Sequence, residues 1–173
     1  MIILGIDPGS RNTGYGLIDS QHNRFKYLHS GHLVVKGDSF PQRLGYIFSH
    51  LAELIAEYQP EQMSIENVFM HKNADSALKL GQARGAAICA GHQGGLDVFE
   101  YAPREVKLAI VGTGSAEKQQ VNHMVQRLLS LSGELQNDEA DGLALALCHA
   151  QHYATQSRTG LPSGAFLRRG RRR

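Results

Sequence analysis

The amino-acid sequence predicts a single α/β domain whose core is a mixed, five-stranded sheet flanked by helices. One observation is the order of the predicted elements, which runs three strands, helix, strand, helix, strand and then helices. The other is size and composition: the chain has 173 residues, 42% hydrophobic and 20% charged, which is ordinary for one globular domain. We place the domain at residues 1–155 and a basic tail, expected to be flexible, at residues 156–173.

The strands are predicted from short apolar or alternating segments that are bounded by turn residues. The first is a buried strand that ends at the turn signal Asp7-Pro8-Gly9. The next two are joined by a hairpin turn at residues 20–23, and three strands without an intervening helix predict an antiparallel start to the sheet. The predicted strands are Ile2–Asp7, 13–19, 24–35, 63–66 and 98–101.

The helices are predicted from apolar spacing and from residues typical of helix ends. Pro41 suits the first turn of the first helix, and Pro60 lies just past its end. Asn137 is a suitable N-cap for the last helix. The apolar face of the first helix consists of Leu44, Ile47, Phe48, Leu51, Leu54 and Ile55. The other helices are predicted at residues 73–92, 103–110, 115–131 and 138–153, and the second of the five is rich in small residues that would let another helix approach closely.

The net charge of +2 conceals an asymmetry along the chain. All 16 acidic residues precede residue 142, and six of the 18 Lys and Arg residues lie at or beyond Arg158. The body up to Ser157 therefore carries a charge of −4 and the tail +6. The tail could be a phosphate-binding arm or only a solvated terminus, and the sequence allows both.

The two cysteines and the apolar segments bear on the compartment. Cys89 and Cys148 lie in apolar helical stretches, where we expect buried, reduced thiols and hence a cytoplasmic protein. No apolar run approaches the roughly 20 residues that cross a membrane, and no secretory signal is expected. The histidines are scattered, and His149 and His152 are expected at the surface.

Four carboxylates stand out by their positions. Asp7 ends the first strand and Glu66 ends the fourth, so the two would meet if those strands are neighbours. Asp138 and Asp141 lie three residues apart in the first turn of the last helix. Converging carboxylates repel one another unless a cation lies between them, and Mg²⁺ prefers carboxylate oxygens. Two such ions would provide the chemistry of phosphodiester hydrolysis.

Each acid also has an ordinary structural explanation. An Asp before Pro-Gly is a common turn residue, acids at a helix start interact favourably with the helix dipole, and Glu66 could be a surface acid. The glycine-rich segment after the first strand also occurs in the phosphate loops of actin-like ATPases, which however use two such domains. The spacing alone leaves these alternatives open.

Five segments of the sequence resemble the RuvC family of bacterial Holliday-junction resolvases, nearly end to end over residues 1–153. They begin with Leu4-Gly5-Ile6-Asp7-Pro8-Gly9-Ser10 and Ile65-Glu66-Asn67-Val68-Phe69-Met70. They continue with residues 72–85, residues 111–118 and Asp138-Glu139-Ala140-Asp141-Gly142-Leu143-Ala144. The arginine-rich end of the chain is not covered by the resemblance.

The resemblance implies an RNase H-like fold and symmetric, metal-dependent nicking of four-way DNA junctions in recombination and repair. It implies that Asp7, Glu66, Asp138 and Asp141 are the catalytic acids and hold Mg²⁺, with two ions per site and Mn²⁺ as a substitute. It further implies a homodimer, formed through the small-residue helix, that works with the RuvA and RuvB branch-migration proteins. A two-fold dimer would match a two-fold junction.

The resemblance also assigns DNA contacts to three residues that sequence alone would leave unassigned. Lys107 and Lys118 correspond to lysines beside the scissile phosphate, although each would otherwise be interpreted as a solvated helix lysine. Phe69 corresponds to an aromatic residue that stacks on bases at the junction centre, although it could equally be core. The remaining hypotheses are an RNase H-like nuclease acting on RNA or plain duplex DNA, and a junction-binding module without catalysis.

Overall fold

The computed structural model describes residues 1–21, 24–68 and 73–159. Its centre is a five-stranded sheet with the strand order β3-β2-β1-β4-β5. The first three strands pair antiparallel, whereas β4 is parallel to β1 and β5 is parallel to β4, so the predicted mixed sheet is confirmed. The strands are β1 Ile2–Asp7, β2 Asn12–Gln21, β3 Arg24–Val34, β4 Gln62–Glu66 and β5 Asp97–Tyr101.

In the part of the chain that the structure describes, five helices cover the sheet, as the periodicity predicts. Ser39 caps the first helix by accepting a hydrogen bond from Gln42 N, and the Gln42 side chain accepts one from Ser39 N in return. The predicted boundaries differ from the observed ones by one to three residues for most elements, as is usual for fraying helix ends. The helices are α1 Phe40–Tyr58, α2 Ala74–Gln93, α3 Pro103–Val111, α4 Lys118–Leu128 and α5 Asn137–Thr159.

The two faces of the sheet bury two separate hydrophobic clusters. Helices α1 and α2 cover one face, where Ile47 and Leu51 pack with Leu4 and Ile6. Helices α3, α4 and α5 cover the other, and α5 lies directly on β1 and β2. The α5 helix is therefore enclosed between the sheet and the outer helices α3 and α4.

Helix α5 differs from its prediction in burial and in both ends. The spacing of Ala140, Leu143, Ala144 and Leu147 predicts one apolar face, but residues 142–150 are buried without interruption because the helix has protein on both sides. The predicted N-cap Asn137 is wrong by one position: Ala140 N donates to Gln136 O, so Asn137 is already helical.

The helix also continues to Thr159, past the predicted start of the tail at residue 156. The basic residues from 160 onward lie outside the described residues, and the domain boundary stays a prediction.

Two predictions about individual side chains are wrong. His149 is 2% exposed rather than on the surface, because it joins α5 to the sheet by hydrogen bonds to Tyr101 Oη and Gln62 Oε1, both 2.7 Å long. Cys89 is exposed, because it lies on the side of α2 opposite the buried residues Ala83 and Ala87, whereas Cys148 is buried as predicted. Within the described residues, no helix combines the length and apolar character that a membrane span requires.

Candidate active site

Strand pairing brings Asp7 and Glu66 to the same edge of the sheet. β1 and β4 are parallel neighbours with Ile6 opposite Ile65, so the next residue of each strand is an acid at its carboxyl end. The conditional prediction that these two acids meet if their strands are adjacent is therefore confirmed. Beyond Asp7 the chain turns back into β2, and this turn is held by Thr13, whose hydroxyl donates to Gly9 O over 2.9 Å.

The first turn of α5 completes the acidic cluster. Carboxylate oxygens of Asp7, Asp138 and Asp141 all lie within 4.8 Å of one another, a spacing that could hold a metal ion. Glu66 stands outside this group of three and faces it from β4, close enough to Asp141 for their charges to interact. The structure thus brings together the four predicted acids from three different elements.

Close backbone contacts explain how α5 reaches this position. A Cβ atom on Gly14 of β2 would collide with the backbone of Asp138, and one on Gly5 of β1 would collide with Gly142. The absence of side chains lets the helix rest on the strands at backbone distance. These glycines were not singled out from sequence as site residues. Glycines inside a strand pattern, such as Gly14 and Gly16, were the signal that another backbone approaches closely.

Burial and mutual repulsion disfavour the charged forms of two acids in the cluster. Burial and the neighbouring charges of Glu66, Asp141 and Asp138 raise the pKa of Asp7 to about 7, although Lys118 acts in the opposite direction. Burial and the charge of Asp141 likewise raise the pKa of Glu66. Carboxylates with raised pKa values indicate a site whose charge is unbalanced by the protein alone. A divalent cation would balance it, and the oxygen-only donor set suits Mg²⁺.

Lys118 is a basic residue in direct contact with the cluster. It is the first residue of α4, and its Nζ lies 2.5 Å from Asp141 Oδ2. Burial lowers the pKa of Lys118, but the hydrogen bond to Asp141 and the nearby acidic charges outweigh that effect and raise the pKa overall. A lysine in the first turn interacts unfavourably with the helix dipole, so its position favours a functional explanation.

Three of the four acids and both lysines line one cleft of about 320 Å³. Its charged lining consists of Asp7, Glu66 and Asp141 together with Lys107 of α3 and Lys118 of α4. This volume is large enough for a phosphate group with surrounding waters. The remaining walls are mainly apolar and consist of Pro103, Val106, Val121, Ala144 and Leu145. Phe69, the third predicted DNA contact, lies outside the described residues.

Comparisons with known proteins agree with this geometry. A profile of the family described as "Crossover junction endodeoxyribonuclease RuvC" matches residues 3–149. A protein of that name from Marinobacter nauticus is 57% identical over 162 residues, which cover 92% of this chain and 93% of its own. Another from Photorhabdus laumondii subsp. laumondii is 53% identical over 172 residues, which cover 99% of each chain.

The fold leads to the same family. The structure described as "T. thermophilus RuvC in complex with Holliday junction substrate" aligns with a TM-score of 0.85 and 31% identity, covering 91% of this chain and 97% of that one. The sheet and helices are those of the RNase H-like resolvases, as the resemblance implied, and the actin-like ATPase alternative is set aside. Matched over most of its length in sequence and in structure, the chain belongs to the RuvC family of crossover junction endodeoxyribonucleases.

Proposed function

We propose that this protein is a structure-selective endonuclease that resolves four-way (Holliday) DNA junctions by metal-dependent hydrolysis of phosphodiesters. The observation that carries the proposal is the convergence of four carboxylates, three of which line one cleft together with two lysines, in a chain of this family. A relative of 31% identity has been captured with such a junction. Symmetric nicks in two strands would serve DNA recombination and repair in the cytoplasm.

Asp7, Glu66, Asp138 and Asp141 would be the catalytic acids and hold the metal. Mg²⁺ fits their oxygen-only chemistry, two ions per site are expected, and Mn²⁺ is expected to substitute. When bound, these ions would activate water and stabilise the charge that develops on the phosphate. The raised pKa of Asp7 supports this assignment, because a bound cation would stabilise a carboxylate charge that burial and the neighbouring acids disfavour.

Lys107 and Lys118, which line the same cleft as the acids, would bind the scissile phosphate. Since the Lys118 ammonium is held by Asp141, it can exchange a carboxylate oxygen for a phosphate oxygen without moving far. Ammonium groups preorganised in this way stabilise negative charge on a phosphate. The apolar side chains of Val106 and Val121, which line the same cleft, would limit the water around it. Phe69 would stack on bases at the junction centre.

The proposal includes a homodimer that contacts the RuvA and RuvB branch-migration proteins. The exposed side of α2 supports a subunit contact: Leu78 is 67% exposed, and a Cβ on Gly81 or Gly85 would meet no atom within 4 Å. The two glycines leave room for the backbone of a second copy to approach, and Leu78 offers it an exposed apolar side chain. Two active sites related by a two-fold axis would match the symmetry of the junction.

The experiment that tests the proposal compares substrates under matched conditions. A synthetic four-way junction with a mobile homologous core, an immobile junction and a linear duplex of equal length are incubated with the protein and either Mg²⁺ or EDTA. Paired nicks in a junction, only with Mg²⁺, are expected. Cutting of the linear duplex at a similar rate would identify a general nuclease instead, and junction binding without cleavage at any metal concentration would identify a binding module.

A further inference from the structure

Arg84 of α2 connects that helix to the ends of the two parallel strands β4 and β5. Its Nε donates a hydrogen bond of 3.1 Å to the backbone oxygen of Glu66. Its Nη2 lies 2.6 Å from Glu100 Oε2, an ion pair without the directionality of a hydrogen bond. The Arg84 and Glu100 side chains are only 17% and 19% exposed. The guanidinium therefore contacts both strands at the edge of the sheet that carries the acids.

These contacts fix the orientation of the peptide unit that joins Glu66 to Asn67. On one side Asn67 N donates to Tyr101 O over 2.8 Å, and on the other Arg84 holds Glu66 O. Because the peptide unit is planar, fixing both its oxygen and its nitrogen fixes its orientation. The direction in which the Glu66 carboxylate leaves β4 is thereby limited as well.

The chemistry of arginine suits this arrangement better than that of lysine. A guanidinium presents several N–H groups in a rigid plane and can address two partners at once, whereas an ammonium on a flexible stem is a single point charge. Glu100 balances the charge of Arg84, so the interaction at Glu66 is a hydrogen bond to the backbone that leaves the carboxylate of Glu66 free to face Asp141.

We propose that Arg84 is a positioning residue that aims Glu66 at the other three acids, an inference that rests on the proposed metal-dependent cleavage. Its contact with Glu66 is to the backbone oxygen, so we assign it a positioning rather than a catalytic role. A misplacement of a catalytic group by about 1 Å can lower a rate 100-fold, so the loss of this contact should affect cleavage more than binding.

Four variants separate positioning from stability. The double variant R84M/E100Q removes the partly buried ion pair together with the bond to Glu66 O, and so leaves no unpaired charge behind. R84K keeps a positive charge for Glu100 but cannot hold both partners. E100Q keeps the bond to Glu66 O. The matched control is K79M/D75N, which removes the exposed ion pair between Lys79 and Asp75 of the same helix, 2.6 Å long.

The readouts are junction affinity in EDTA, the single-turnover cleavage rate at saturating Mg²⁺, and the Mg²⁺ concentration giving half the maximal rate. For R84M/E100Q and R84K we expect parent-like affinity, a rate about 30- to 100-fold lower and a half-saturating Mg²⁺ concentration about tenfold higher. The cleavage rate of E100Q should fall less than about threefold, and that of K79M/D75N should equal the parent rate.

The inference is overturned if R84M/E100Q cleaves at the parent rate with the parent Mg²⁺ requirement. It is also overturned if the loss disappears at a low temperature at which circular dichroism shows the variant fully folded, because Arg84 would then act on stability alone. A parent protein that does not cleave junctions would instead remove the proposed function, and this inference with it.

Discussion

Asp7 lies in an environment that disfavours its own charge. Its pKa is raised to about 7 by burial and by the acids around it. The folded protein therefore binds a proton at Asp7 between about pH 4 and pH 7 that the unfolded chain has already released, so this group makes stability fall as pH rises through that window. Such an arrangement is expected where function requires a cation rather than a proton at the site.

The variant D7N should consequently stabilise the metal-free protein. In EDTA above pH 7 we expect an increase on the order of 2 kcal/mol, seen as a higher Tm, and the advantage should vanish towards pH 4. His149, whose pKa is lowered to about 4 by burial, destabilises the fold in acid, but it is common to both proteins and cancels in the difference. Thermal unfolding of parent and D7N at several pH values measures this difference. A parent that is as stable as D7N at pH 8 would contradict the account.

Lys118 combines an unfavourable helix position with a contact to Asp141. Replacing it with glutamine should lower the single-turnover cleavage rate about 100- to 1,000-fold, because a preorganised positive charge at the phosphate is lost. Junction affinity should change little, because Lys118 is only one of the many cations that contribute to DNA binding. The control is Lys79→Gln on α2, which is also an exposed lysine paired with an aspartate. Equal rates for the two variants would exclude a role for Lys118 in the chemistry.

At the scale of elements, the site depends on how closely α5 approaches the sheet. Gly14→Ala would place a methyl group against the backbone of Asp138, which lies one turn before Asp141. We expect cleavage to fall about 100-fold and stability to fall by about 1–3 kcal/mol, as for overpacking in a core.

The matched control for Gly14→Ala is Gly45→Ala in α1. A Cβ there meets no atom within 4 Å, and alanine is the better helix former, so stability should rise by up to about 1 kcal/mol with no change in cleavage. Tm and cleavage rate are measured for both variants. A Gly14→Ala protein with the parent rate would show that the contact between α5 and β2 does not set the geometry of the acids.

Local patterns account for most elements of the fold but not for the surroundings of α5. The apolar spacing in α1 and the turn after Asp7 are short-range signals, so sequence predicts them well. The α5 helix is enclosed on both sides, and a helix buried all round carries no amphipathic period. The burial of His149 also escapes local pattern, because its hydrogen-bond partners Tyr101 and Gln62 are distant from it in the sequence.

In the candidate site too, some features follow from local sequence and others depend on contacts between distant residues. The strand-end positions of Asp7 and Glu66 follow from local pattern, and their adjacency follows once β1 and β4 are known to pair. The role of Arg84 depends on a contact across 18 residues to a backbone oxygen, which leaves no trace in spacing or composition. The approach of α5 had only an indirect signal, the glycines within β1 and β2.

At the scale of the whole molecule, charge is separated along the chain. The body up to Ser157 is acidic, with a net charge of −4, while the last six residues alone contain five arginines. If this arm contacts phosphates, truncation after Thr159, which preserves α5, should weaken junction binding and reduce the slope of log Kd against log salt by about 0.9 for each lost phosphate contact. Affinity measured from 50 to 200 mM salt gives the slope. An unchanged slope would make the arm irrelevant to binding.

The most direct test of the central claim is a comparison of the four acids in one cleavage assay. Single-turnover rates on a mobile-core four-way junction are measured across Mg²⁺ concentrations for D7N, E66Q, D138N and D141N, with D75N as a control at an exposed acid of α2. We predict that each of the four loses at least about 1,000-fold in rate while still binding the junction, and that D75N matches the parent. A parent-like rate in any one of the four would contradict a single site built from all of them.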